Sequence, residues 1–225
     1  MLDFAGTLAI LSLTVFMVAA LAAAADLPLG ARLVAAGVLA LWAGFAAASA
    51  AAGWIAIPRP PVIGFYVAAP LVAGALFARQ ALAALPLQAM VGLNIGRALG
   101  FLFLLLAADG RLSGPFPQSA GWGDVITGLV AVPMFFLARE PHRNALALQA
   151  WNLFGLADLV AAISLGVAST NGGQLQIFPA PGSAAMQHLP WSLIPTVLVP
   201  VYMVLHGAMF VRLQRALSPT PRAPG

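Results

Sequence analysis

The sequence contains no lysine and no cysteine, and only 7% of its residues are charged. Without lysine the chain cannot form a Schiff base, which excludes covalent retinal binding and leaves non-covalent ligands. Without cysteine it has no disulfide, no thiolate nucleophile and no cysteine-based metal site. Soluble domains carry about 25% charged residues, so a chain with so few charges cannot cover a surface that faces water.

Hydrophobic residues dominate the sequence instead. Hydrophobic residues make up 62% of the chain, and the mean hydropathy is +0.97. The composition predicts an all-α integral membrane protein whose main partner is the lipid bilayer. The net charge of +4 comes from arginines between apolar runs, with no basic stripe, so we expect no nucleic-acid partner.

Runs of about 17 to 25 apolar residues are long enough to cross a bilayer as helices. Strands of a membrane barrel would instead alternate in polarity. The runs predict a single seven-helix membrane domain over residues 1–217, followed by a short Pro/Arg tail over 218–225. The predicted spans are Phe4–Ala25, Leu33–Ile57, Val62–Ala78, Leu87–Ala108, Trp122–Ala138, Leu146–Ala168 and Trp191–Val211.

The arginines predict an orientation, because arginine is enriched in cytoplasmic loops. One side of the predicted bundle holds only Arg59 and Arg111, and Arg97 lies inside a span. We therefore expect the amino terminus outside, the carboxyl terminus in the cytoplasm, and a multi-pass protein of the cell membrane, the inner membrane if the source is bacterial. The arginine-rich side holds Arg32, Arg79, Arg139, Arg143, Arg212, Arg215 and Arg222.

A cleaved signal peptide is the alternative interpretation of Phe4–Ala25, since small residues at its end resemble a cleavage site. The residues before it include Asp3 and no basic residue, and cleavage would place the arginine-rich side outside. Both features favour a membrane span.

Two connections are longer than simple turns, Asp109–Gly121 and Ser169–Pro190. The second is uncharged, and loops of its length serve as lids or binding loops or are disordered. Prolines inside the spans, including Pro133, Pro195 and Pro200, each free a carbonyl one turn back. Neighbouring helices or trapped water are expected to satisfy those carbonyls.

An internal repeat is one interpretation of the second half of the chain. A shift of 61 residues lays Leu87–Arg97 on Leu148–Asp158, and Val125–Met134 lies on Ile194–Met203 with a gap. This alignment predicts a parallel repeat of helix hairpins, spans four and five on spans six and seven. Chance matches are common in a sequence so rich in Ala, Leu and Val.

Arg97 is the residue hardest to explain as structure alone. It lies ten residues into its span, about 15 Å from the boundary of a hydrocarbon core about 30 Å thick. An arginine at that depth costs about 2.5–3.5 kcal/mol even on a lenient insertion scale, so a partner or a polar cavity is expected. Asp158 lies at a matching depth of about 18 Å in its own span. A structural pair, a ligand-contacting pair and the absence of direct pairing all stay open.

Further polar and aromatic residues fall at similar depths and predict a polar shell around a ligand. Gly92, Gly96 and Gly100 recur every fourth residue and predict a close-packing face, within the chain or in a helix-mediated oligomer. The candidate ligand-binding residues are Arg97, Asn94, Asn152, Asp158, Tyr202, His206 and Trp151.

Asp124 is interpreted as a residue of the first turn of the fifth span, where the helix dipole favours a carboxylate near water. It could also line the mouth of a cavity. Asp158 and Asp124 are the candidate general acids if the protein is an enzyme.

The three histidines are too far apart to share a metal, and no HExxH, GxSxG, Walker or GxGxxG motif is present. We therefore predict no metal site and no cofactor site. His206 could be a single axial ligand, a proton-transfer group or a hydrogen-bonding partner of a neighbouring helix.

Three functions compete on the sequence. The first is binding or transport of a small apolar or amphipathic ligand in a polar cavity centred on Arg97, which orients an anionic or carbonyl group of the ligand. The second is an intramembrane enzyme acting on a lipid or isoprenoid, and the third is a structural or accessory subunit. Seven helices with an outside amino terminus resemble the topology of rhodopsins and receptors, but the missing lysine departs from the rhodopsin pattern, and topology alone does not establish function.

Overall fold

The computed structural model describes residues 1–56 and 60–217, and this part of the chain is helical with no strand. Arg59, Arg222 and the predicted tail over 218–225 lie outside the described residues. The helices are α1 (Leu2–Ala24), α2 (Leu29–Ala51), α3 (Pro60–Phe77), α4 (Arg79–Ala84), α5 (Leu87–Leu93), α6 (Phe101–Ala108), α7 (Phe116–Leu137), α8 (Pro141–Ala168) and α9 (Val199–Leu217).

In the part of the chain that the structure describes, six helical segments are long and apolar enough to cross a membrane. Four of them are α1, α2, α7 and α8. The fifth is Leu87–Ala108, which joins α5 and α6 through a 3₁₀ segment, and the sixth is Ile194–Leu217, in which a π-helical turn precedes α9. We call Leu87–Ala108 the broken span and Ile194–Leu217 the last span. The third predicted span corresponds to a shorter apolar helix, Val62–Phe77.

Helices α7 and α8 begin six and five residues earlier than the hydropathy pattern predicts. Helix α7 begins at Phe116 rather than Trp122, directly after Pro115, and α8 begins with Pro141 rather than Leu146. Pro141 is the first residue of α8, where proline is favoured because its missing N–H would have had no partner. The predicted loop Asp109–Gly121 is wrong in its second half, which is helical.

The centre of the bundle is formed by the broken span, α7, α8 and the last span, which pack against one another. Helix α3 lies against α9, and α1 packs against α2 and approaches α5. Helices α1 and α2 present many large apolar side chains outward. The four central segments therefore enclose the polar residues.

The helix ends meet in two groups. At one end of the bundle, Asp3 accepts hydrogen bonds from Arg111 and Trp191, and the Ser113 amide donates to the Gly182 carbonyl. At the other end, the Asp26 amide donates to the Ala84 carbonyl, and the Arg212 guanidinium donates to the Leu85 carbonyl.

The broken span changes from α-helix to 3₁₀ geometry at Asn94–Gly100. A 3₁₀ helix has three residues per turn, so Asn94, Arg97 and Gly100 share one face, and these three are the buried residues of the segment. The prediction of one glycine face is wrong for this reason. Gly100 faces Asp124 on α7, whereas Gly96 faces Leu13 and Tyr202.

The last span is irregular around its prolines, as expected. Pro200 has no N–H to donate to the carbonyl of Thr196, four residues earlier. The indole N–H of Trp42 on α2 donates to that carbonyl at 2.9 Å. A neighbouring helix therefore satisfies the carbonyl that the proline frees.

Candidate functional site

Arg97 is the eleventh of the 22 residues of the broken span, and its side chain is 1% exposed. Its Nε donates to Oδ1 of Asp124 at 2.6 Å, and its Nη2 donates to Oδ2 of Asp158 at 2.6 Å. Its Nη1 donates to the carbonyl of Gly155 at 3.0 Å and lies 3.0 Å from Nε2 of His206. Four of the five N–H donors of the guanidinium thus have partners on three other segments.

The sequence left open whether Arg97 and Asp158 pair directly, and in the structure the two side chains are in contact. The second carboxylate, that of Asp124, was not expected there. Because α7 begins at Phe116, Asp124 is the ninth residue of the helix, and the prediction that it lies in the first turn near water is wrong. The sequence signal that could have found it is Pro115, which moves the helix start upstream and Asp124 two turns into the span.

Small residues let the charged side chains meet. A methyl group at Gly128 would overlap the backbone of Ala98, and one at Gly123 would overlap the carboxylate of Asp158. Helix α7 therefore approaches the 3₁₀ segment closely at Gly128, while Gly123 leaves the space that Asp158 occupies.

His206 is held between Arg97 and Asn152. Because the arginine can only donate, Nε2 of His206 accepts its hydrogen bond, and Nδ1 carries the proton. Nδ1 then donates to Oδ1 of Asn152 at 2.8 Å, and Nδ2 of Asn152 donates to the carbonyl of His206 at 3.1 Å. The imidazole is neutral in this arrangement, and its lone pair is used by Arg97 rather than by a metal.

Two aromatic residues border the cluster. The ring of Tyr202 lies 5.8 Å from Cζ of Arg97, and its hydroxyl donates to the carbonyl of Leu93 at 3.4 Å. Trp151 packs 5.8 Å from the ring of His206 and donates to the carbonyl of Thr127 at 3.1 Å. Both polar ends bind backbone carbonyls, so these rings shield the charged side chains of Arg97 and its partners.

Asn94 is fully buried, but its amide donates to Met90 within its own helix at 3.0 Å. Its Oδ1 has no partner among the described residues, and the same holds for Oγ1 of Thr127 and both polar atoms of Gln149. Buried polar groups of this kind are commonly satisfied by internal water.

A cleft runs from the cluster toward the end of the bundle that holds Asp3, Arg111 and Trp191. It offers about 80 Å³ to the centres of water-sized molecules, whereas one water needs about 10–15 Å³ on the same measure. Within residues 1–56 and 60–217, Asp124 is the one charged residue that lines it. Most of the other lining residues are apolar: Ile55, Ile63, Val67, Phe103, Phe116, Leu159, Ala162, Ile163, Gly166, Val167, Leu175, Met186, Ile194, Pro195 and Val199.

The predicted loop Ser169–Pro190 forms the outer wall of the cleft. Thr170, Ser183 and Gln187 are among its lining residues. The loop is attached to the rest of the bundle through Gly182, whose amide donates to Oγ of Ser113 at 2.9 Å and whose carbonyl accepts from the Ser113 amide at 3.0 Å.

The two carboxylates differ in access. The side chain of Asp124 is 14% exposed and lines the cleft, whereas that of Asp158 is 7% exposed and is absent from the lining. Within residues 1–56 and 60–217 each carboxylate accepts a hydrogen bond at one oxygen, Oδ1 of Asp124 and Oδ2 of Asp158, and the second oxygen of each has none. In the same residues no group of three His, Cys, Asp or Glu side chains could hold a metal ion.

The structure brings most of the candidate site residues together. Arg97, Asp158, Asp124, His206 and Asn152 form one connected network, which we call the ion cluster. Tyr202 and Trp151 border it, and Asn94 lies one turn away without contacting the guanidinium. Their roles toward a ligand stay predictions.

The length and composition of the six spans, with a charged network enclosed by four of them, define a multi-pass helical membrane protein. The chain belongs to the family described as a domain of unknown function (DUF8737), which matches residues 61–214. That match includes every residue of the ion cluster. No curated protein matches the chain, and no solved structure does.

Proposed function

We propose that this protein binds or transports a small amphipathic molecule, which enters the cleft and places its polar head against Asp124. The observation that carries the proposal is the combination of an apolar cleft with a single carboxylate at its inner end. Ligand sites in proteins are mostly apolar pockets with a few placed polar groups.

Arg97 acts in this proposal by positioning Asp124. The sequence suggested that the guanidinium itself orients an anionic or carbonyl group, but four of its five N–H groups already have partners. A bidentate anion would have to displace Asp124 or Asp158. Asp124 is therefore the better candidate for ligand contact, with Arg97, Asp158, His206, Asn152, Asn94, Tyr202 and Trp151 supporting its position.

We also propose seven membrane crossings with the amino terminus outside and the cell membrane as location. Contacts of Asp3 with Arg111 and Trp191 support a common side for the amino terminus and the fourth and sixth connections. The bond from Arg212 to Leu85 supports a common side for the third connection and the end of α9. The excess of arginine on that second side supports a cytoplasmic assignment.

Because the chain has no cysteine, single cysteines can test this topology directly. The two variants are Gln174→Cys, in the loop that lines the cleft, and His142→Cys, at the start of α8. Both positions are exposed. A membrane-impermeant maleimide should label Gln174→Cys in intact cells and His142→Cys only after lysis. The opposite pattern would invert the orientation, and equal labelling would contradict seven crossings.

We also propose that spans four and five and spans six and seven are a parallel repeat of helix hairpins. Arg97 and Asp158, the two positions that the 61-residue shift aligns, contact each other across the bundle. Related hairpins that pack face to face would place equivalent residues together in this way. The 3₁₀ segment interrupts only the first copy.

Binding can be tested with a pair of valine substitutions on α3. Val67 lines the cleft, whereas Val72 is 53% exposed on another face of the helix. Val67→Phe should remove a small molecule that co-purifies with the wild type, as detected by native mass spectrometry, and Val72→Phe should retain it. An equal amount of bound molecule in both variants would contradict binding in the cleft.

The same experiment separates the other two hypotheses. An accessory subunit would purify with a stable partner and with the cleft empty in both variants. A lipid- or isoprenoid-converting enzyme with Asp158 or Asp124 as general acid would turn over a component of a lipid extract. If both Asp124→Asn and Asp158→Asn lose that turnover, the protein is an enzyme and the binding proposal is wrong.

A further inference from the structure

The ion cluster contains more acidic groups than basic ones. One guanidinium faces two carboxylates, and the remaining titratable member, His206, is neutral because it accepts from Arg97. With both carboxylates ionised the cluster carries a net formal charge of −1. An uncompensated charge at this depth in the bilayer is unfavourable, so a further positive charge or a proton completes the cluster.

Access to the cleft determines which of the two carboxylates a further positive charge can reach. Each carboxylate has one oxygen without a hydrogen bond among the described residues, but Asp158 packs against Gly123 and is absent from the cleft lining, whereas Asp124 lines the cleft. The other polar residues of the lining, among them Thr170, Ser183 and Gln187, belong to the outer loop and carry no charge. A cation that enters the cleft therefore meets one anionic group.

We propose that the ligand of the cleft carries a cationic, hydrogen-bond-donating head group, of which a protonated primary amine is the simplest case, bound to Asp124. This inference rests on the proposed binding function and names its ligand class. The apolar body of the ligand lies along α8 from Leu159 to Val167, a path of about 12 Å. The ammonium donates to Oδ2 of Asp124 and brings the cluster to net zero charge.

The test compares probes of equal chain length on the purified wild type in phosphatidylcholine nanodiscs, which carry no net lipid charge. The probes are octylamine, 1-octanol and octanoate, and the readout is the concentration dependence of the unfolding temperature. Octylamine is expected to bind about tenfold more tightly than 1-octanol, because hydrogen bonds to charged groups are stronger than neutral ones. Octanoate is expected to bind most weakly.

Two variants locate the effect. In Asp124→Asn the preference for octylamine over 1-octanol should disappear, and in Asp26→Asn, an exposed carboxylate outside the cleft, it should persist. If Asp124→Asn fails to fold, the comparison of the three probes on the wild type still tests whether the head group is cationic. Val67→Phe should weaken the binding of all three probes.

The outcomes separate this inference from the proposed function. Equal affinity for octylamine and 1-octanol, both sensitive to Val67→Phe, would overturn the cationic head group and leave ligand binding in place. A preference for octylamine that persists in a folded Asp124→Asn variant would overturn the assignment to Asp124. If Val67→Phe binds every probe as tightly as the wild type does, both the cationic head group and ligand binding in the cleft are overturned.

Discussion

Nε of Arg97 lies 2.6 Å from Oδ1 of Asp124, and this contact joins the 3₁₀ segment of the broken span to the middle of α7. The same guanidinium reaches Asp158 on α8 and His206 on the last span. One side chain therefore connects all four central segments, and it holds the carboxylate at the inner end of the cleft.

Arg97→Leu is expected to destabilise the bundle by about 3–5 kcal/mol, because it leaves two carboxylates in the bilayer core without a partner. The measurement is thermal unfolding in nanodiscs. Arg143→Leu is the matched control, since its ion pair with Glu140 spans 3.7 Å between largely exposed side chains and is expected to contribute little. Equal stability of the two variants would contradict the ion cluster.

Gly128→Ala is expected to prevent normal packing of α7, because the added methyl group would overlap the backbone of Ala98. Expression and unfolding temperature should both fall. Gly207→Ala is the control: a methyl group there meets no atom within 4 Å, and alanine favours a helix over glycine by about 1 kcal/mol. A Gly128→Ala variant as stable as the control would show that the two segments do not approach so closely.

Trp42→Phe is expected to cost about 1–3 kcal/mol, because it leaves the Thr196 carbonyl without its donor. Restoring a backbone N–H with Pro200→Ala should recover part of this loss, so the two substitutions should be non-additive in a double-mutant cycle. Trp54→Phe, at a residue that is 56% exposed, is the control and should have little effect. Strict additivity would contradict the assigned role of Trp42.

The tautomer of His206 can be observed by nitrogen NMR on histidine-labelled protein, with His142→Gln and His188→Gln used to remove the other two signals. The hydrogen bonds predict a neutral ring protonated at Nδ1. Asn152→Leu should change this spectrum because it removes the acceptor of Nδ1. Protonation at Nε2 in the wild type would be incompatible with donation from Arg97.

The sequence by itself determined the class of the protein and the depth of its central charges. Hydropathy marks the segments that prefer lipid, and the constant rise of a helix converts residue number into depth, so Asp158 could be matched to Arg97 before any contact was known. The same argument misplaced Asp124, because a helix start that contains polar and small residues, as at Phe116–Gly123, does not differ in hydropathy from a loop.

Only the tertiary structure decided which residues meet around the bundle axis. Hydropathy is nearly uniform around these helices, so it does not say which face points to which neighbour. That choice depends on close packing at glycines such as Gly128 and Gly123, and on the change to three residues per turn that turns Arg97 toward α7. The second carboxylate of the cluster and the cleft that leads to it follow from that packing.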